Sequence, residues 1–375
     1  MPAENINLVI FRTLPSYSGR LKVLFKYNPL VCRVAKRQRG CLTVIKMPSF
    51  KRVVHDVVKL ERRFQYIFYL AVFLVAINLL LLGAVPLRGR SPIVNVSRLK
   101  LAYATILTSS EADHDAYFLS ARILNYQLLH ANSTSTTSLT PFLILVTPAI
   151  PFWKRKILAN EGATIVEVEK LHMEGMTPLF ERWRDMMVKL RLFQLTEYDR
   201  ILFLDADTFL LKSLDGVFSD SAGKRRQTKS VTEAMVDEAA LPDSYLFATV
   251  PEVRSIVHSY PPLTLPYFNS GFFLLSPSIQ LFNYYISLLD LKGRFDTTYP
   301  EQNLLNYAHR ESGNMPWSRL SYRWNINLPN MNDVKKGVAS VHSKLWTDGN
   351  ILQPTDPFLV ESWKRVKNEM EIFYS

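Results

Sequence analysis

The stretch RILFLDADTFLLKSL, residues 200–214, decides the reading. It opens on an apolar run, Ile201 to Leu204, with the length and composition of a buried strand. Asp205 and Asp207 follow at once, with only Ala206 between them. A buried strand that ends in two carboxylates needs a partner or a cation for each, because an unpaired charge is costly to bury. Where a strand turns into a loop, both can converge on one ion. A solvated turn after a core strand is the plain alternative, and for an isolated Asp-x-Asp it is the stronger one. Here Phe209, Leu210 and Leu211 follow, so apolar sequence flanks the pair on both sides and favours a hard cation with oxygen ligands. Such a cation suits a diphosphate, and a diphosphate leaving group suggests transfer from a nucleotide-sugar.

Outward from this stretch, periodicity predicts strands at 102–107, 142–146, 164–168, 246–250 and 271–275. Helices are expected at 116–129, 152–160, 186–196, 279–291 and 301–309. Strands alternating with helices imply an α/β fold, a mainly parallel sheet with helices on both faces. Ligands of such sheets bind beyond the carboxyl ends of the strands, where Asp205 and Asp207 fall. Residues 219–244 are polar and mixed in charge, and read as a mobile insertion, either a lid or a plain connection.

The chain of 375 residues carries a formal charge of +12. Residues 1–63 hold 14 Lys/Arg against 3 Asp/Glu, so this tail accounts for +11 of it. That imbalance points to a largely disordered tail near anionic lipid and not to nucleic acid. Residues 64–85, FQYIFYLAVFLVAINLLLLGAV, contain no charge and as a helix would extend about 33 Å, enough to span a bilayer. A buried soluble helix or a cleaved signal peptide explains this run less well. Arg62, Arg63 and the cluster Arg33, Lys36, Arg37 and Arg39 precede the run, and only Arg88 and Arg90 follow closely. The positive-inside rule then predicts a single-pass type II protein with a short luminal stem at 86–100 and a luminal catalytic domain at 101–375. Both cysteines, Cys32 and Cys41, lie in the tail, so the luminal part has neither a disulfide nor thiolate chemistry. Two N-glycosylation sequons begin at Asn95 and Asn132, on the side read as luminal.

From about Leu101 to Asn350 the ordered motifs resemble the glycogenin-like retaining glycosyltransferases, family 8, which use a glycosyltransferase A fold. Leu107, Thr108 and Ser109 match the strand end that holds base and ribose, and Tyr117 the position of a uracil-stacking aromatic. Lys189 matches a lysine at the sugar-diphosphate site; without the family, an exposed helical lysine is the simpler reading. Asp205, Ala206 and Asp207 match the metal-binding Asp-x-Asp. Asn269, Ser270 and Gly271 lie in the FNSG segment beside the donor sugar; apart from the family, a turn before a core strand explains them as well. Glu301 and Gln302 resemble the DQ pair near the reacting carbon, with Glu in place of Asp. His342 matches the late histidine that completes the metal site, and alone would read as a packed strand-end residue. Lys344 stands in a shorter HSKLW ending than the family's usual one, where it can reach the diphosphate.

The resemblance implies retaining transfer of a sugar from a UDP-sugar to a glycan acceptor, dependent on Mn²⁺ or another divalent metal. PEQNLLNYAHR and VHSKLW are most similar to fungal Golgi members, including N-acetylglucosaminyltransferases, which implies N-acetylglucosamine or glucose as the sugar and the Golgi membrane as the place. A glycogenin-like self-glucosylating primer is an alternative enzyme. A non-catalytic glycan- or metal-binding domain on the same fold is an alternative of another class.

Overall fold

The computed structural model describes residues 99–108, 116–230, 238–347 and 356–375. The chain divides into Met1–Asn95 and Val96–Ser375, and every described residue belongs to the second unit. The basic tail, the apolar run 64–85 and most of the stem lie outside the described residues. Among the described residues no helix is long and apolar enough to cross a membrane.

In chain order the strands are β1 (Leu101–Leu107), β2 (Phe142–Val146), β3 (Thr164–Glu167), β4 (Arg200–Leu204), β5 (Thr208–Leu210), β6 (Arg226–Gln227), β7 (Ser244–Tyr245), β8 (Phe247–Pro251), β9 (Phe268–Leu275), β10 (Ser318–Arg319), β11 (Ile326–Asn327) and β12 (Ser340–His342). The helices are α1 (Ala116–Leu129), α2 (Phe152–Asn160), α3 (Ile279–Leu289), α4 (Pro300–Ala308), α5 (Met331–Lys336) and α6 (Pro357–Phe373).

Seven strands form one sheet in the order β10-β8-β9-β4-β1-β2-β3. β1 pairs in parallel with β2 and β4, and β2 with β3. FLILV of β2 is buried at every position and RILFL of β4 after its first, hence continuous apolar runs rather than alternation. The expected parallel sheet is confined to this half. β9 runs antiparallel to both β4 and β8, because the connection 252–267 contains no helix to carry the chain back across a face. β9 also begins at Phe268, not at 271, so the FNSG residues are strand and not a turn. Asn306 makes this possible: its amide accepts the Phe268 N–H (3.1 Å) and donates to the Phe268 carbonyl (3.0 Å).

Apolar layers cover both faces. On one, Leu281, Tyr285 and Leu304 from α3 and α4 pack in one core with Ala104, Phe203 and Phe273. On the other, Phe118, Leu124 and Leu128 of α1 pack with Tyr103, Ile144 and Leu204. The helix expected at 186–196 is a 3₁₀ helix over Glu181–Gln194. Its i+3 alignment sets Lys189 in column with Met186 and Leu192, both packed into the core. The segment 219–244 is anchored at its described ends: β6 pairs antiparallel with β7, and Lys229 N–H donates to the Asn314 carbonyl at 2.8 Å. Residues 231–237 lie outside the described residues.

β5 joins β11 and β12 in a second, three-stranded sheet. β12 is antiparallel to β5, with His342 opposite Thr208. Phe209 and Val341 from these strands share a third core with Leu359 and Trp363 of α6. The C-terminal helix thereby braces the sheet that carries His342.

Candidate active site

At the end of β4 the Asp205 N–H donates to the Gly271 carbonyl of β9 (2.8 Å), and Thr208 N–H donates back to the Asp205 carbonyl (2.9 Å). This tight turn sets both carboxylates at the carboxyl end of a central strand. The β5–β12 register brings in His342, and Ser343 N–H closes on the Asp207 carbonyl at 3.1 Å. His342 Nε2 lies 3.0 Å from Asp207 Oδ1 and 3.7 Å from Asp205 Oδ2. One ligand atom from each of Asp205, Asp207 and His342 falls within 4.8 Å of the others, so the three residues expected to share a metal are together.

The donor set fits a divalent cation, and the imidazole tautomer shows why. Asn269 Oδ1 accepts the Gly271 N–H (2.9 Å) while its Nδ2 donates to Gln302 Oε1 (3.2 Å), which fixes the amide's orientation. The same Oδ1 faces His342 Nδ1 at 3.2 Å, so Nδ1 carries the hydrogen. In the neutral ring Nε2 then presents its lone pair to Asp207 Oδ1, acceptor against acceptor. That contact needs a proton or a metal ion between the two atoms. Burial pushes His342 down, but Asp207 and Asp205 outweigh it and hold the ring above the usual histidine value. Burial pushes Asp207 up, but His342 and Lys344 hold it below the usual carboxylate range. Burial prevails at Asp205, which stays raised despite Lys189 and His342. A Cβ on Gly271 would lie 2.3 Å from His342 Cε1, so the close approach this glycine permits is made by the histidine ring.

Lys189 is not the exposed lysine that its helical position suggests; it is 2 % exposed. Its ammonium lies 3.0 Å from Asp205 Oδ1, 3.0 Å from Glu301 Oε1 and 3.2 Å from the Ser270 carbonyl, which occupy its three donors. Burial lowers its pKa, but the two carboxylates outweigh burial and hold the amine charged. Glu301 Oε1 also accepts the Ser270 hydroxyl (2.9 Å). Gln302 Oε1 accepts the Ser270 N–H (3.0 Å), and its Nε2 donates to the Tyr267 hydroxyl (2.9 Å) and to Glu252 (3.3 Å). Both α4 residues are buried; Glu301 is linked to Asp205 through Lys189, and Gln302 to His342 through Asn269.

Glu252 and Tyr267 escaped the sequence reading. Burial raises Glu252 above the usual carboxylate range despite Arg254, and pushes Tyr267 up to about 12. The available signal was position: Glu252 follows Pro251 at the end of β8, a strand end of this sheet.

Of the residues expected around the nucleotide, Leu107 and Thr108 are buried at the end of β1, and the Thr108 carbonyl accepts the Thr147 hydroxyl (2.6 Å). Ser109 lies outside the described residues. Tyr117 meets Trp346 edge-on with centroids 5.1 Å apart, and Lys344 Nζ is 5.9 Å from the Tyr117 ring centroid. Burial lowers the Lys344 pKa, and the charge of Asp207 acts against that. The short HSKLW ending therefore brings Lys344 over the Tyr117 ring and within the field of Asp207. Asn132 is exposed, whereas Thr134 of its sequon is buried and donates to the Gln127 carbonyl (2.7 Å). Asn95 lies outside the described residues.

An uncharacterized protein of Schizosaccharomyces pombe is 26% identical over 310 residues, covering 73% of this chain and 81% of its own length. Galactinol synthase 1 of Solanum lycopersicum is 26% identical over 207 residues, covering 51% of this chain and 56% of its own. Among solved structures, the galactosyltransferase LgtC in complex with donor and acceptor sugar analogs has 13% identity and a TM-score of 0.41, covering 72% of this chain and 95% of its own. The sequence model of Glycosyl transferase family 8 matches residues 120–344, from α1 through His342 to Lys344. The match spans more than half of the chain: the chain is a glycosyltransferase and belongs to glycosyl transferase family 8.

Proposed function

We propose that this glycosyltransferase moves a sugar, N-acetylglucosamine or glucose, from a UDP-sugar to a glycan acceptor with retention at the anomeric carbon, and depends on Mn²⁺. The observation that carries the reading is the convergence of Asp205, Asp207 and His342 at the end of β4, with the tautomer of His342 set for a cation. Two carboxylates and an imidazole suit Mn²⁺ better than Mg²⁺. The ion, when bound, supplies positive charge to the departing diphosphate.

The chain's own residues divide the remaining work. Leu107, Thr108 and Tyr117 border the base and ribose. Lys344, beside Asp207, adds charge at the diphosphate. Lys189 holds Asp205 and Glu301 in fixed positions as their shared counter-ion. Asn269 orients His342, and Gln302 braces Asn269. Glu301 and Gln302 border the sugar carbon, where negative and dipolar groups favour an oxocarbenium-like centre during front-face attack by the acceptor hydroxyl.

The uncharged run 64–85 and its basic flank support a single-pass type II anchor with the catalytic domain in the lumen, and the likeness of PEQNLLNYAHR and VHSKLW to fungal Golgi members supports a Golgi location. The test is incubation of the chain with a panel of UDP-sugars, with and without Mn²⁺. Metal-dependent UDP release from one or two donors is expected. Binding of Mn²⁺ with no turnover of any donor contradicts the enzyme reading and leaves a binding domain.

A further inference from the structure

The connection 252–267 contains no helix or strand, and Val253 and Pro262 are its buried residues. Both of its ends reach the candidate active site. Glu252 N–H donates to the Tyr267 carbonyl (3.0 Å), and the side chains of these two residues hold Gln302. Val253 exchanges two bonds with the Asn327 amide (2.9 and 2.8 Å), and Asn327 stands opposite His342 in the β11–β12 register. Two contacts fasten the middle of the connection to the segment that leads into and opens α5. The Tyr322 hydroxyl donates to the Leu263 carbonyl (3.2 Å), and His258 meets residues 328–333.

The surroundings of His258 select its charged form. Nδ1 lies 3.0 Å from the Ser259 carbonyl, and Nε2 lies 3.3 Å from the Leu328 carbonyl and 3.5 Å from Asp333 Oδ2. Asn330 Nδ2 is also 3.3 Å from Nε2, but its two hydrogens point to the carbonyls of Ile256 (2.9 Å) and His258 (3.2 Å). Both ring nitrogens therefore face acceptors, and only the imidazolium carries a hydrogen on each. Asp333 is fully buried; its Oδ2 accepts the Asn330 N–H (2.8 Å), and its Oδ1 has no hydrogen-bond partner among the described residues. Burial pushes the Asp333 carboxyl up, and the Asn330 N–H and the His258 charge act against that. Tyr260, on the same connection, is raised by burial and by Asp333, with Arg323 acting the other way. Leu328 takes φ 58°, a left-handed backbone that a leucine keeps only where its surroundings hold it, and its carbonyl is one that His258 engages.

We propose that His258, as an imidazolium paired with Asp333, is a positioning residue and a pH-dependent clasp: protonated, it holds 252–267 against α5 and so keeps Gln302 and the His342 strand in place. This inference rests on the reading of Asp205, Asp207 and His342 as a cation site and adds its regulation. The clasp is closed where His258 is charged and Asp333 ionised. It opens as pH rises through the range between about 5 and 8 in which imidazoles lose their proton. With it open, Gln302 loses the support of Tyr267 and Glu252, and Asn327 the support of Val253. Mildly acidic surroundings thus favour the ordered site.

Hydrogen exchange of the full chain in nanodiscs, read by mass spectrometry and corrected for the intrinsic pH dependence of amide exchange, tests the clasp. Protection of 252–267 should fall about tenfold or more between about pH 6 and about pH 8, with β1 and β2 unchanged. His258→Gln should exchange at the faster rate at both pH values. Mn²⁺ should bind His258→Gln about fivefold more weakly than wild type near pH 6 and equally near pH 8, a convergence that a merely structural role would not produce. If His258→Gln does not fold, the wild-type His258 ring resonance decides: it should titrate in step with the exchange of 252–267. The proposal is overturned by equal protection of the wild-type connection at both pH values. It is overturned too by wild-type pH dependence in His258→Gln, by a constant ratio of Mn²⁺ affinities, or by a ring that titrates out of step. A wild-type chain that binds no Mn²⁺ overturns the cation reading, while the exchange of 252–267 still decides the clasp.

Discussion

Asn269 shows how much of the candidate metal site depends on residues that touch no metal. Its Oδ1 is the acceptor that assigns the hydrogen of His342 to Nδ1 and turns Nε2 toward the carboxylates. Asn269→Ala should lower Mn²⁺ affinity about 10- to 100-fold while the fold survives. Mn²⁺ titration followed by electron paramagnetic resonance checks this, and wild-type affinity in the variant would show that His342 is held by other means. Lys189 makes the opposite case. Its ammonium is shared by Asp205 and Glu301, so Lys189→Ala strands one buried and one part-buried carboxylate and should cost about 3–5 kcal/mol of stability in urea unfolding. Glu301→Gln keeps an oxygen for Lys189 and Ser270 and should cost less; an equal loss in the two variants would contradict the shared-counter-ion account. At this scale the sequence announced charged residues by type and motif, but not their partners. A lysine on a helical segment looks solvated until the sheet that buries it is known.

Among the elements, β1, β2 and β4 were legible because strands buried on both faces must be apolar throughout, and α1 and α2 occupy the ranges expected of them. The antiparallel entry of β9 was not legible, since strand direction depends on what the connection 252–267 does in space. The second sheet was hidden for another reason: two- and three-residue strands such as β11 and β12 have no measurable period. Yet that sheet sets His342 against Thr208, and α6 holds it there through Leu359 and Trp363. Trp363→Ala should therefore cost about 3–5 kcal/mol of stability. It should also weaken Mn²⁺ binding, although Trp363 is no ligand. A purely local loss of stability, with metal affinity unchanged, would show that the β5–β12 register needs no support from α6.

On the scale of the whole molecule, stability should depend on pH through a histidine outside the candidate metal site. His309 is fully buried, stacked on Phe247 with centroids 4.3 Å apart, and bonded to the Met315 carbonyl (2.7 Å) and the Tyr285 hydroxyl (2.5 Å). Burial, against the pull of the Met315 carbonyl, lowers its pKa from 6.5 to about 4. The unfolded chain binds this proton first. The contribution is therefore complete above about pH 6.5 and is lost as pH falls toward 4, by roughly 3 kcal/mol in all. Urea midpoints between pH 4 and 7 should follow that slope in the wild-type chain and flatten in His309→Gln, and an identical slope in the variant would assign the effect elsewhere. The proposed transfer depends on the cation site at the end of β4, and Mn²⁺-stimulated UDP release by wild type and Asp205→Asn tests that dependence most directly. The substitution keeps the side-chain shape and removes one ligand charge, so release should fall by about 100-fold or more with thermal unfolding little changed. Full activity in Asp205→Asn, with the same dependence on Mn²⁺, would contradict it.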